Sequence, residues 1–132
     1  MLMPDDHPLL ALATFAGTAL AMGNAMVAVP SLKHPLTATD LYQVLETSDV
    51  PHDTFNIVTG DRDELAKMQS EHDDVDSVWY AGSANGQPAV QIASAGNMKR
   101  TSGRGAAGAL PSVDEVLREA TQVKNVWVPY GA

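Results

Sequence analysis

A turn rich in small residues, residues 82–86 (GSANG), is the strongest candidate for chemistry in this sequence. It follows an apolar run that predicts a strand and precedes a run that predicts a helix. A turn in this position directs backbone N–H groups and the positive end of the helix towards an anion such as a pyrophosphate. Every strand-to-helix connection needs a turn, so the pattern alone leaves open both a ligand site and an ordinary connection.

Other reactive constellations are missing from the chain. No cysteine occurs among its 132 residues, which excludes a disulfide framework, a thiolate metal site and a cysteine nucleophile. Neither a G-x-S-x-G nucleophile elbow nor a P-loop motif is present. The four histidines are scattered without a metal-ligand spacing, and residues 71–74 (EHDD) are typical of a solvated loop. The pairs Asp5/Asp6 and Asp61/Asp63 are interpreted as surface and helix-cap residues, and we predict no metal site.

Charge and hydrophobicity narrow the possible partners. Sixteen acidic residues against eight Lys and Arg give a formal charge of −8, which disfavours binding to nucleic acid. Residues 9–22 form an apolar run that is too short to span a bilayer and lacks a basic flank, so we expect a buried helix rather than a signal peptide. The expectation is a cytoplasmic protein of one domain's length with no membrane segment.

The predicted strands and helices that must position the turn at residues 82–86 alternate along the chain. Strands are predicted at residues 25–30, 55–58 and 76–80, and helices at residues 9–22, 37–46, 63–71 and 89–95. Alternation of this kind indicates parallel strands joined by right-handed crossovers. The predicted fold class is therefore α/β, a three-layer Rossmann-like parallel sheet with flanking helices and a C-terminal helix–strand tail.

The composition changes after residue 100. Residues 1–100 are predicted to form a partial Rossmann-like cofactor domain, and residues 101–111 (TSGRGAAGALP) a Gly/Ala-rich linker. Residues 112–132 then supply a helix, begun by a capping box at Ser112 and Glu115, and a strand at residues 123–129 (VKNVWVP).

Taken in order, several segments resemble the NAD-binding domain of the aldehyde dehydrogenase superfamily. They are P-x-x-x-P at 4–8, ALAMGN at 19–24, VPS at 29–31, PLT at 35–37, FNIVTG at 55–60, HDDVD at 72–76, GS at 82–83 and NMKR at 97–100. Residues 120–128 (ATQVKNVWV) resemble the family's extreme C-terminal segment, whose strand belongs to the oligomerisation arm. The resemblance implies that the catalytic domain between these regions is missing, together with its Cys nucleophile and Glu general base.

Residue by residue, the resemblance implies a weakened cofactor site. The positions carried over as cofactor-binding are Pro30, Ser31, Gly60, Gly82 and Ser83. Val29 and Leu32 stand where the family has a Lys and a Glu that hold the adenosine ribose, and Asp6 replaces an Asn that stabilises the oxyanion. Each lost hydrogen bond costs about 1–3 kcal/mol when its partner stays unpaired. We therefore expect NAD or NADP to bind weakly, if at all.

The resemblance leads to three functional hypotheses. The preferred one is a truncated aldehyde dehydrogenase-like protein that is inactive alone and acts through oligomerisation, or through pairing with a full-length relative by its C-terminal strand. An alternative is an NAD(P)-dependent aldehyde oxidoreductase, active only with a partner chain that supplies Cys and Glu. A further alternative is a small nucleotide-binding module. No nucleic acid, membrane or metal partner is expected.

Overall fold

A computed structural model describes residues 1–105 and 110–131 of the chain. In chain order the elements are α1 (Pro8–Ala21), β1 (Met26–Ala28), α2 (Leu36–Glu46), β2 (Phe55–Ile57), α3 (Arg62–Glu71), β3 (Ser77–Gly82), α4 (Gly86–Ser94), β4 (Arg100–Gly105) and α5 (Val113–Glu119). A short 3-10 helix, Ala95–Asn97, follows α4. None of the helices in these ranges has the length and apolar character needed to span a membrane.

Residues 1–3 complete a parallel arrangement of strands. β1 pairs with β2, and β3 pairs with β4, both in parallel. Residues 1–3 lie between the two pairs: the Leu2 N–H donates to the Trp79 carbonyl at 2.8 Å, and the Met3 N–H donates to the Val29 carbonyl at 2.9 Å. The order across the sheet is therefore β2, β1, residues 1–3, β3, β4.

Helices cover both faces of this sheet. On one face α1, α2 and α5 surround a core that contains Phe15 and Trp79, whose ring centroids are 5.3 Å apart. On the other face α3 contributes Ala66 and α4 contributes Val90 to a second core around Tyr80. The predicted three-layer, Rossmann-like α/β class is confirmed.

Short-range signals set the ends of several helices. Gly23 ends α1 at φ = +80°, a conformation that costs glycine little. The Asp61 carboxylate caps α3 by accepting the Glu64 N–H at 2.9 Å, as predicted. The predicted capping box of Ser112 and Glu115 is also present at the start of α5.

Lys99 joins the start of β4 to the end of α3. Its ammonium group donates to the carbonyl of Gln69 at 3.3 Å and to the carbonyl of His72. These are among the last carbonyls of the helix, which a cation stabilises. Burial lowers the pKa of Lys99 below its ordinary value, although the charges of Asp73 and Asp76 oppose the shift.

The predicted linker at residues 101–111 is wrong over its first part. β4 (Arg100–Gly105) pairs along its whole length with β3 and forms an edge of the sheet. β4 is held by backbone hydrogen bonds to β3 on one side, so it does not need a run of apolar side chains. Its composition, rich in Gly, Ser and Thr, therefore did not indicate a strand. Residues 106–109 of the predicted linker lie outside the described residues.

Of the helix and the strand predicted for the C-terminal tail, only the helix is confirmed. The helix is present as α5, and it packs against α1 through Val116, whose side chain is fully buried. The strand predicted at residues 123–129 is not formed: the described residues after α5 have no ladder partner in this chain. An apolar, β-branched segment becomes a strand only when another backbone pairs with it.

Candidate functional site

The carboxyl ends of the parallel strands meet along one edge of the sheet. All five positions assigned to cofactor binding lie at or just beyond these ends: Pro30, Ser31, Gly60, Gly82 and Ser83. The strand order reverses between residues 1–3 and β3. In doubly wound sheets this reversal opens a crevice in which ligands bind. The five predicted positions therefore share one edge of the sheet, and their role in cofactor binding stays a prediction.

Ser31 directs its hydroxyl inward, towards Asp5. The residue is 1% exposed, and its Oγ donates to Asp5 Oδ1 at 2.7 Å. The same oxygen accepts the backbone N–H groups of Lys33 at 3.2 Å and His34 at 3.3 Å. The Ser31 hydroxyl is thus committed to the protein and has little capacity left for a ligand.

Asp5 also forms a largely buried ion pair with Arg62. One terminal guanidinium nitrogen of Arg62 lies 2.7 Å from Asp5 Oδ1, with 9% and 19% of the two side chains exposed. Burial alone would raise the pKa of Asp5, but hydrogen bonds from Ser31 and Arg62 and the Arg62 charge outweigh it, so this pKa lies below its ordinary value. The prediction that Asp5 is an ordinary surface residue is wrong, because Ser31 and Arg62 enclose it.

The turn between β3 and α4 is filled by a side chain from β3 itself. The Tyr80 hydroxyl accepts the Ser83 N–H at 3.1 Å and donates to Asp63 Oδ1 at 2.8 Å. A Cβ at either Gly82 or Gly86 would collide with the end of the phenol ring. These two glycines therefore make room for Tyr80, where a nucleotide-binding turn would make room for a phosphate.

The electrostatic surroundings keep the Tyr80 phenol protonated. Burial raises the pKa of Tyr80 above its ordinary value, and the hydrogen bond to the Asp63 carboxylate and its charge raise it further. Hydrogen bonds to the phenol from the side chain and the backbone N–H of Ser83 lower this pKa without cancelling the shift. The phenol therefore remains a donor to Asp63 across the neutral range.

A groove between α3 and α4 begins beside this turn. Its volume is about 520 Å³, within the range of small-molecule pockets. Ala66, Ala89 and Ile92 supply much of its apolar lining, while Asp63 and Ser83 lie at the end nearest the turn. Ile92 is 77% exposed along this groove, so an apolar ligand would shield it from water.

The remaining predicted positions offer few ligand contacts. Val29 is buried within the sheet, and Leu32 is 58% exposed with no polar group on its side chain. Pro30 is buried, whereas Gly60 lies in an exposed bend next to Leu65. Neither Val29 nor Leu32 therefore offers a side-chain hydrogen-bond donor or acceptor to a ligand.

Three residues at this edge were not identified from the sequence as site residues: Arg62, Asp63 and Tyr80. Arg62 and Asp63 begin α3 beyond the end of β2, and Tyr80 lies two residues before the end of β3; nearness to the carboxyl edge is the signal that points to them. Within the ranges the structure describes, no group of three or more His, Asp or Glu side chains is arranged to hold a metal ion.

The parallel sheet with this strand order, covered by helices on both faces and open at the strand-order reversal, defines a doubly wound α/β protein. Residues 1–109 match the sequence model described as "Aldehyde dehydrogenase family". The chain belongs to the aldehyde dehydrogenase family.

Curated relatives are much longer than this chain. It is 35% identical over 100 residues to the NADP/NAD-dependent aldehyde dehydrogenase PuuC of Escherichia coli, which covers 75% of the chain and 20% of that protein. A mitochondrial aldehyde dehydrogenase of Leishmania tarentolae is 33% identical over 130 residues, covering 96% of the chain and 26% of that protein. The chain thus spans about a fifth to a quarter of the relatives it matches.

Solved structures agree with the fold. An aldehyde dehydrogenase from Bartonella henselae superposes with a TM-score of 0.73 at 24% identity, over 77% of this chain and 21% of that one. A lactaldehyde dehydrogenase structure gives a TM-score of 0.70 at 25% identity, over 76% of this chain and 21% of that one.

The match to the Leishmania protein includes the tail, and the aligned stretch of that protein is about as long as this chain. It does not place the tail at that protein's distant end, and the C-terminal-arm interpretation stays a prediction.

The residues of this crevice do not fit a dinucleotide. The Ser83 N–H that would face a phosphate is bonded to Tyr80, and the Asp63 carboxylate stands beside it. The Ser31 hydroxyl is bonded to Asp5. A phosphate would therefore displace satisfied hydrogen bonds and approach a negative charge, both of which cost free energy.

Proposed function

We propose that this chain is a noncatalytic member of the aldehyde dehydrogenase family that acts by association, either with a second copy or with a longer relative. The exposed apolar tail after α5 carries the proposal. Val126 is 81% exposed and Trp127 is 93% exposed, and Tyr130 lies fully in solvent. An apolar segment with unpaired backbone groups is suited to adding a strand to another chain's sheet.

The composition of the chain supports the noncatalytic part of the proposal. The family's chemistry needs a thiolate to attack the aldehyde carbon and a base to activate water, and the chain holds no cysteine. The alternative, an aldehyde oxidoreductase that borrows Cys and Glu from a partner chain, would also require association. Formation of NADH from an aldehyde by the purified chain alone would contradict the proposal.

Replacing Val126 by proline is expected to shift the chain from an oligomer to a monomer. Proline removes a backbone N–H and disrupts a strand ladder, so the dissociation constant should rise at least about tenfold. Size-exclusion chromatography with light scattering over a range of concentrations measures this shift. Lys124→Ala, which changes a neighbouring polar side chain, is the matched control and should leave the mass unchanged. A wild-type chain that stays monomeric at every concentration would disprove association with a second copy.

The groove between α3 and α4 favours a second candidate, a small nucleotide-binding module. It combines an apolar lining from Ala66, Ala89 and Ile92 with polar groups at one end. A mostly apolar lining with a few polar groups is the usual composition of a small-molecule site. Association through the tail and ligand binding in the groove use separate surfaces, so each can be tested without the other.

Weak binding of NAD is expected from the same residues. Val29 and Leu32 provide no ribose contacts, and Tyr80 occupies the turn at which a phosphate would bind. The loss of several contacts worth about 1–3 kcal/mol each places the dissociation constant near or above the millimolar range. Calorimetric titration of the purified chain with NAD checks this, and micromolar binding would contradict it.

A further inference from the structure

A cavity lies at the amino edge of the sheet, opposite to the edge that holds the candidate site. Its volume is about 290 Å³, near the lower limit of small-molecule pockets. The beginnings of β1, β3 and β4 line it, together with the ends of α1 and α5. We propose that this cavity binds a small zwitterion, an α-amino acid with an apolar side chain. The proposal is independent of association through the tail and of ligand binding between α3 and α4.

Arg100, the first residue of β4, lines the cavity and supplies donors for the carboxylate of such a ligand. Its Nη1 donates to the carbonyl of Glu119 at 3.2 Å and to the carbonyl of Thr121, so the guanidinium is fixed at the end of α5. Within residues 1–105 and 110–131, neither Nε nor Nη2 of Arg100 has a hydrogen-bond partner. Adjacent N–H groups of a guanidinium bind a carboxylate through two parallel hydrogen bonds.

Asp74 and Asp76 supply acceptors for the ammonium group of the ligand. Both belong to the loop that leads into β3, and both line the cavity. Lys99 does not neutralise them by direct contact, because its ammonium group donates to backbone carbonyls at the end of α3. The two carboxylates therefore attract a cation that enters the cavity.

The rest of the lining is suited to an apolar side chain. Trp79, Met26 and Ala19 line the cavity with buried, apolar surface, which an apolar group covers favourably. Burial lowers the pKa of the Met1 amino group, which also lines the cavity, to about 5, so this group is uncharged at neutral pH and does not compete with an ammonium group. The cavity thus combines donors for an anion, acceptors for a cation and an apolar surface, as an amino acid requires.

Titrations of the full chain with leucine and two of its analogues test the proposal. The first analogue, 4-methylpentanoate, lacks the ammonium group, and the second, 3-methylbutylamine, lacks the carboxylate. Measured by calorimetry or by chemical-shift changes, leucine is expected to bind at least about tenfold more tightly than either analogue. Equal or tighter binding of an analogue would overturn recognition of a zwitterion. Failure to bind leucine would overturn the whole inference and leave association through the tail unaffected.

Asp74→Asn assigns the recognition of the ammonium group. The substitution removes an exposed carboxylate and is expected to lower the affinity for leucine by about tenfold, while the affinity for 4-methylpentanoate changes less than about twofold. Asp73→Asn changes the neighbouring exposed residue, which does not line the cavity, and should leave both affinities unchanged. Wild-type leucine affinity in folded Asp74→Asn would overturn the role of this carboxylate.

Arg100→Lys assigns the recognition of the carboxylate. Lysine keeps the positive charge but lacks the planar pair of donors, so the affinities for leucine and 4-methylpentanoate should each fall by about tenfold, with less than about a twofold change for 3-methylbutylamine. Arg118→Lys, at an exposed position of α5 outside the cavity, is the matched control and should change none of them. Circular dichroism confirms folding, and wild-type leucine affinity in folded Arg100→Lys would show that the guanidinium does not hold the ligand.

Discussion

Asp5→Ala is expected to lower the free energy of unfolding by about 3 kcal/mol. The substitution leaves the Arg62 guanidinium buried without its ionic partner and deprives the Ser31 hydroxyl of its acceptor. Removing one member of a buried pair costs about 3–5 kcal/mol, and the lower end applies because the Asp5 side chain is 19% exposed. Urea unfolding monitored by tryptophan fluorescence measures the change.

The neighbouring residue supplies the control for this experiment. Asp6 is exposed and lies outside the Asp5–Arg62 pair, so Asp6→Ala should change the stability by less than about 0.5 kcal/mol. Equal effects of the two substitutions would show that net charge, rather than the pair with Arg62, sets the stability.

The ion pair between Asp5 and Arg62 also predicts how the free energy of unfolding depends on pH. Because the pKa of Asp5 is lower in the folded chain than its ordinary value of 3.8, folding favours the ionised carboxylate. Its contribution is complete above pH 3.8 and is lost as the pH falls through the lower, folded-state pKa. The difference between wild type and Asp5→Ala should therefore shrink in that acid window.

Leu2→Ala is expected to cost about 3 kcal/mol of stability. Leu2 is 2% exposed and packs with Val29, Val78 and Tyr80 in the core under α3 and α4. Truncation of a buried leucine leaves a cavity and costs about 2–5 kcal/mol. Thermal or urea unfolding provides the measurement. Leu10→Ala is the matched control, since Leu10 is 58% exposed, and a similar cost at both positions would contradict the central placement of Leu2.

Much of the fold followed from local patterns in the sequence. The apolar run at residues 9–22 predicted α1 (Pro8–Ala21) to within one residue at each end, and FNIV at residues 55–58 predicted β2 (Phe55–Ile57). α1 is rich in the helix formers Ala and Leu, and β2 is a short apolar run closed by a turn, so composition within each segment identified it. Helix caps such as Asp61 could also be predicted from the sequence, because the backbone N–H that the cap accepts lies only three residues away.

Elements held by distant backbone partners left no such signal. Residues 1–3 are too few to show a period, and they act as a strand only because β1 and β3 flank them. β4 (Arg100–Gly105) carries Gly, Ser and Thr rather than an apolar pattern, and its place depends on β3. Pairing across long sequence distances is not encoded in local composition.

In the candidate site, too, local features were predicted from the sequence and long-range contacts were not. Gly82 and Ser83 were placed correctly at a strand-to-helix turn, because that position depends on neighbouring residues. The occupation of the turn by Tyr80 was not predicted, since it depends on Asp63 from another helix. Asp5 was likewise misassigned because its partner Arg62 is remote in sequence.

The position of residues 1–3 also has a consequence for the order of folding. β1 and β2 are joined through α2 alone, and β3 and β4 through α4 and a short 3-10 helix, so each pair can form from neighbouring parts of the chain. Residues 1–3 pair with β1 across α1 in the same way, but they must close a much longer loop to reach β3, and loop closure costs entropy that grows with length. We expect the βαβ units to form first and the contact between residues 1–3 and β3 to form last.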